Sequence, residues 1–244
     1  LNESSLVNIS TLASELDIGV QIHLHETNQE IVQGLAKNDE RPIETLLKVG
    51  LLGPKTQCVH MTALNSEDIK LLNQTGAQVI HCPESNMKLA SGISPINKLL
   101  DAGINVGLGT DGAASNNDLD LFGELKSAAL LAKINTMDAT SLTAAEALTL
   151  GTLGGAKALG MDKSIGTIEV GKLGDLIAVN LDHVAMQPVH DIFSQLVYLN
   201  SGSQVTHSWI QGQLVVQDSK LLTIDQTDLR QRILNWQKLL TNEL

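Results

Sequence analysis

The chain has 244 residues, enough for one large or two modest domains with a real core. Its 43% hydrophobic and 18% charged content marks a globular protein rather than a disordered one. A net charge of −11 and only 2% aromatic residues exclude nucleic-acid binding and an anionic-membrane partner as expectations. No apolar run approaches the roughly 20 residues of a membrane span, and no basic–apolar–small leader pattern opens the chain. Cys58 and Cys82 form no C-x-x-C pair and read as reduced core thiols, so a cytoplasmic protein is expected.

In chain order, Leu1 to Leu16 reads as a helix, with Leu6, Ile9, Leu12, Ala13 and Leu16 at helical spacing. The chain opens without an initiator Met inside that pattern, as a fragment or processed segment would. Val20 to His25 reads as a strand, and Glu26 to Leu35 as a polar loop running into a helix. Pro42 opens a short helix that Gly50 and Gly53 end. Thr56 to His60 is a second strand, followed by a helix capped at Asn65–Asp68. Ala77 to Cys82 is a third strand, and Pro83 to Gly92 a polar loop. Ser94–Pro95 opens another helix, Ile104 to Gly109 is a fourth strand, and Gly112 to Asp118 is a small-residue loop. A longer helix covers Leu119 to about Lys133. Thr143 and Glu146 are spaced as a capping box at the start of the next. Its glycines, in Gly151–Thr152–Leu153–Gly154–Gly155, read as close packing rather than a phosphate loop. Beyond Gly166 the texture is turn-rich, with a strand at Leu176–Val179 and a hairpin joined by Gln211–Gly212. Asp225 to Leu244 reads as an amphipathic helix.

The expected organisation is α/β. Residues 1–160 are βα units amounting to half of a (β/α)8 TIM barrel, residues 161–224 are part of a small β-sandwich domain, and residues 225–244 are a C-terminal helix. The other half is inferred to be missing or supplied by another chain, because an open four-stranded sheet leaves long apolar edges.

Three apolar runs end in histidine (His23, His60, His81) and a fourth in Asp111, so one sheet face is expected to gather three imidazoles and a carboxylate. In parallel α/β folds that face carries the chemistry. His23 and His25 share a face by the period of two and could chelate a metal together. Neutral imidazoles and a carboxylate suit zinc or ferrous iron, whose bound water becomes acidic near neutral pH. Glu26, just past its strand, is placed to shuttle protons, and His60 and His81 to line the substrate. His183, His190 and His207 fall outside this set. Gly-x-Ser-x-Gly, Gly-x-Gly-x-x-Gly and the His-x-Glu…Pro-Cys-x-x-Cys signature are absent.

The stretches His23–Leu24–His25–Glu26–Thr27, Val59–His60–Met61, His81–Cys82–Pro83–Glu84–Ser85–Asn86–Met87–Lys88–Leu89, Leu108 to Asn117 and Gly166 to Leu176 resemble the amidohydrolase superfamily. Within its deaminase and chlorohydrolase branch they are most similar to 5-methylthioadenosine/S-adenosylhomocysteine deaminases. The resemblance implies a metal-dependent barrel that hydrolyses an adenine nucleoside to the inosine product and ammonia. It implies His23 and Asp111 as ligands of one divalent cation, zinc foremost, with iron and manganese as alternatives. It implies Glu26, His60 and Asp111 as catalytic groups, and Glu26, His81 and Asp111 as substrate contacts. His25 falls on a position that varies. The first-strand His-x-His pair of that family has no counterpart here, so the chain alone is expected to be inactive or metal-poor. Alternatives are a guanine, deoxyadenosine or s-triazine substrate, or a non-catalytic barrel relative. The partner is a small nucleoside, with no nucleic acid and no membrane; a homo-oligomer is left open.

Overall fold

In the computed structural model, which describes residues 2–199 and 201–242, the first half of the chain lays down β1 (Val20–Leu24), β2 (Thr56–His60), β3 (Gln78–His81) and β4 (Val106–Leu108). They form one parallel sheet in sequential order. Parallel neighbours need crossovers, and helices supply them: α1 (Glu3–Leu16) precedes β1, and α2 (Asn28–Asn38) and α3 (Pro42–Lys48) follow it. Next come α4 (Ser66–Thr75), α5 (Pro83–Lys88) and α6 (Ile96–Asp101). After β4 come α7 (Leu121–Thr136), α8 (Ala144–Thr149), a π-helical turn at Leu150–Gly154, and α9 (Gly155–Ala158). Strands covered by helices read as nearly continuous apolar runs; all three residues of β4 are buried. The core lies between sheet and helices, from Leu6, Ile43, Leu46 and Leu72 to Leu99, Leu125 and Ala128.

The second sheet is antiparallel, built from β5 (Leu176–Val179), β6 (Val205–Ile210), β7 (Gln213–Gln217) and β8 (Lys220–Leu221). The hairpin turns at Gln211 and Gly212, both at positive φ. Between β5 and β6, α10 (Ile192–Tyr198) returns to the first layer, and its Val197 is fully buried in the same core as α7 and α8. Nothing in the alternation of the sequence around it marks that return. The chain closes with α11 (Gln226–Asn242). No described helix is long and apolar enough to cross a membrane.

Several expectations need correction. The polar stretch from Glu26 becomes helical by Asn28, because the Thr27 side chain caps α2 by accepting from the Glu30 N–H. Pro83 to Lys88 is helix rather than loop; Pro83 occupies the first turn, where its missing N–H costs nothing. The third and fourth strands are shorter at both ends than the apolar runs suggested. Leu1 and residues 243–244 lie outside the described residues.

The glycine run at 151–155 packs as expected. A Cβ on Gly154 would sit 2.3 Å from the Val106 carbonyl oxygen, so β4 and the π-turn approach backbone to backbone. Gly154→Ala is predicted to cost about 1–3 kcal/mol by overpacking, read by urea denaturation. Gly53→Ala, where a Cβ meets nothing within 4 Å, should stay within about 0.5 kcal/mol of wild type.

Candidate metal centre

Every candidate group sits at the C-terminal edge of the parallel sheet. His23 is the fourth residue of β1, His60 and His81 end β2 and β3, and Asp111 follows β4 by three residues. Leu24 pairs with His60 and His81 with Leu108 across the ladders, which levels these ends with one another. The backbone then leaves the sheet through left-handed conformations at His25, His60, Met61 and Asp111, with φ of 51°, 76°, 51° and 60°. Non-glycine residues held there cost roughly 1–3 kcal/mol each, and such strain concentrates at functional sites.

Three of the groups converge. One ligating atom from each of His23, His60 and Asp111 lies within 4.8 Å of the others. His23 Nε2 is 3.5 Å from Asp111 Oδ1, and the His23 and His60 rings stack at 5.2 Å between centroids. His60 is buried, and its Nδ1 is 2.8 Å from Asn86 Oδ1, so Nε2 is the nitrogen left for the site. Glu26 Oε2 lies 3.8 Å from His60 Nε2, and its Oε1 accepts from the Ser91 hydroxyl at 2.9 Å. The Glu26 carbonyl accepts from Thr62 Oγ1, which pins the turn carrying the carboxylate.

Partial burial alone would raise the Asp111 carboxyl. Hydrogen bonds from Ser115 Oγ (2.6 Å), Ser85 Oγ (2.8 Å) and the Gly112 N–H outweigh it, with a smaller pull from His60, and hold the pKa down at about 2. The carboxylate is therefore ionised at any physiological pH. Two imidazoles and one anionic oxygen are a donor set that zinc or ferrous iron accepts, so the residues fit a divalent cation. Cys58 and Cys82 are buried free thiols, pushed up to about 12 chiefly by that burial, and offer no thiolate.

Two other histidines stand apart. His25, at the position the resemblance leaves variable, does not chelate beside His23, because the strand ends at Leu24 and the left-handed turn swings its ring into the protein. Its Nε2 accepts from the Ile43 N–H of α3 at 3.2 Å, and burial lowers its pKa to about 4 against the pull of Asp68. Asp68 also receives two hydrogen bonds from Arg41, so His25 joins a buried clamp between α3 and α4. His81 is 1% exposed and outside the converging trio. Burial, helped by His60, lowers it to about 3, and it sits beside His60 as a neutral ring with no hydrogen-bond partner for Nδ1 among the described residues.

Ser85, Asn86, Ser91 and Ser115 were missed by sequence reasoning. They are small polar residues in segments read as loops, and no spacing rule distinguishes them there.

Residues 1–215 match the model of the amidohydrolase family. The chain belongs to that family. A 5-methylthioadenosine/S-adenosylhomocysteine deaminase of Teredinibacter turnerae is 44% identical over 98% of this chain and 54% of its own length. The crystal structure of an adenosine deaminase from Xanthomonas campestris with bound zinc superposes at a TM-score of 0.97, with 42% identity, over 99% of this chain and 55% of that one. The atrazine chlorohydrolase of Arthrobacter aurescens TC1, complexed with zinc, gives a TM-score of 0.90 at 26% identity, over 98% of this chain and 52% of that one. The chain thus spans about half the length of the amidohydrolases it matches.

Behind the site, Glu124 on α7 is fully buried. It accepts from the Glu84 N–H and from Asn116 Nδ2, tying α5 and the loop after Asp111 to α7. Burial raises its pKa from 4.5 to about 7, with the Glu84 carboxylate adding to the shift. A carboxyl raised on folding binds its proton more tightly in the native state. Its contribution to stability is therefore complete below about pH 4.5 and lost as pH rises through about 7. The loss should not exceed about 3 kcal/mol. Denaturation midpoints between those pH values should fall for wild type and change less for Glu124→Gln.

Proposed function

We propose that this family member is a metal-dependent hydrolytic deaminase of adenine nucleosides, with 5-methylthioadenosine and S-adenosylhomocysteine as the leading substrates. The observation that carries the reading is the convergence of His23, His60 and Asp111 with Glu26 3.8 Å from His60. The 44% identity to a deaminase, against 26% to a chlorohydrolase, favours an amine over chloride as the leaving group. We further infer that the parallel sheet is half of a (β/α)8 barrel and the antiparallel sheet part of a β-sandwich. The separation of 3.5 Å between the side chains of His23 on β1 and Asp111, three residues past β4, supports this. Three strand spacings span about 14 Å in a flat sheet, with side chains standing roughly perpendicular to it, so a curled sheet brings the two edges together more readily than a flat one. The cytoplasm is the compartment that fits two reduced thiols.

His23 and Asp111 would hold the cation, zinc foremost, with His60 beside them. The ion's contribution is to lower the pKa of an attacking water toward neutrality. The residues do the rest. Glu26 takes one proton of the attacking water. Oxygen adds to the purine carbon that bears the exocyclic amine while Glu26 delivers a proton to the adjacent ring nitrogen. His60 orients the attacking oxygen through Nε2. Asp111, ionised in the resting site, takes the proton of the added hydroxyl and passes it to the amine, the C–N bond breaks, and ammonia leaves with the inosine product. His81, buried and neutral, backs His60; direct contact with the nucleoside would require it to be uncovered.

The His-x-His pair that the family resemblance implies has no counterpart in these residues, so activity is expected in a protein carrying the complete ligand set and not in the 244-residue chain alone. In the active protein, Glu26→Gln should lower turnover by at least about 100-fold while leaving stoichiometric metal in place. Asp111→Ala should lose both. Ammonia and chloride release from a nucleoside and a chlorinated triazine separates the two leaving groups; wild-type turnover in Glu26→Gln contradicts the acid–base assignment.

A further inference from the structure

Two neighbouring residues on the first turn of α5 carry no role in the reaction described above, yet each grips a different member of the converging trio. Ser85, 0% exposed, donates its hydroxyl to Asp111 Oδ2 at 2.8 Å. Asn86, 1% exposed, places Oδ1 2.8 Å from His60 Nδ1. We propose that Ser85–Asn86 is a positioning pair that aims two atoms of the site at one point: Asn86 fixes His60 as the Nδ1–H tautomer with its Nε2 lone pair toward the attacking oxygen, and Ser85 turns Asp111 so that Oδ1 faces the cation position. The inference rests on the reading of the trio as a metal centre.

The geometry divides the labour between the atoms of each group. Asp111 Oδ2 is occupied by two hydroxyls, Ser85 Oγ and Ser115 Oγ, while Oδ1 faces His23 Nε2 at 3.5 Å. A carboxylate with one oxygen saturated from behind presents the other without rotating. On His60 the two nitrogens are equally distinct. A neutral imidazole carries one proton, and the nitrogen that holds it cannot also donate a lone pair. With Oδ1 as its partner, Nδ1 must be the donor, so Nε2 is the free base. Were the amide reversed, Nδ2 would donate to Nδ1 and the ring proton would sit on Nε2, pointing into the site. Asn86 Nδ2 has no hydrogen-bond partner among the described residues. The amide is therefore held by the His60 contact and by packing, not by a second partner of its own.

The pair is itself anchored. Ser85 and Asn86 lie one and two residues beyond Glu84, whose N–H donates to buried Glu124 at 3.1 Å and whose carboxylate accepts from Ser127 Oγ at 2.9 Å. α5 thereby takes its position from α7, and α7 is part of the hydrophobic core. One short helix links the core to two side chains of the site, one ending β2 and one three residues past β4.

The test uses the whole protein freed of metal, 15N-labelled at histidine, at about pH 8, above the ordinary imidazole range. Comparison with His60→Gln assigns the His60 resonances. The expected result is a protonated Nδ1 and an unprotonated Nε2 in wild type and in Asn86→Asp, and a mixture of tautomers in Asn86→Leu. Zinc affinity, measured by competition with a chelator, should fall about 10–100-fold in Ser85→Ala combined with Ser115→Ala. A wild-type proton on Nε2 would overturn the proposal, as would unchanged tautomers in Asn86→Leu or unchanged zinc affinity in the double serine variant. If wild type binds no zinc, the metal reading fails by itself; the tautomer of His60 then decides the Asn86 assignment independently, including where Asn86→Leu does not fold.

Discussion

The meeting of His23 with Asp111 is the interaction on which the site depends. His23 lies on β1, at one edge of the four-stranded sheet, and Asp111 three residues past β4, at the other edge, yet their side chains are 3.5 Å apart. The segment leading to Asp111 is held from behind, because Gly154 lies against the Val106 backbone of β4. A side chain at Gly154 would overlap the Val106 carbonyl oxygen on the strand that leads to Asp111.

The electrostatics follow from where each group sits on that edge. Asp111 is ionised because three hydrogen bonds serve its charged form, which outweighs the cost of partial burial. Burial lowers His81, helped by His60, and lowers His25 more than the pull of Asp68 restores. The result is an ionised Asp111 beside the His23 and His60 rings, with the Glu26 carboxylate, 29% exposed, at the open side.

Much of this was legible in the sequence, and the rest had identifiable reasons to be hidden. The strands could be read because apolar runs bounded by glycine and polar residues have few other uses, and three of them end in histidine. The Thr143–Glu146 capping box formed as its spacing demanded. His25 misled because the period of two holds only within a strand, and β1 stops one residue before it. α5 was hidden because Pro83, Glu84, Ser85 and Asn86 resemble a loop until the first-turn tolerance of proline is considered. The return of α10 to the first core could not be read from local pattern, since it is decided by packing against α7 and α8. The hydroxyls and amide that orient Asp111, Glu26 and His60 were illegible for a simpler reason: serine and asparagine are common in loops, and only coordinates distinguish one that grips a carboxylate from one that faces water.

The central claim is that His23 and Asp111 hold one cation position with His60 Nε2 beside it, and crystals of the zinc-loaded protein test it most directly. Anomalous difference maps on the two sides of the zinc absorption edge should show one peak among His23, the Nε2 of His60 and Asp111, absent below the edge. A peak elsewhere, or none in crystals shown by elemental analysis to lack stoichiometric zinc after loading, would contradict the account.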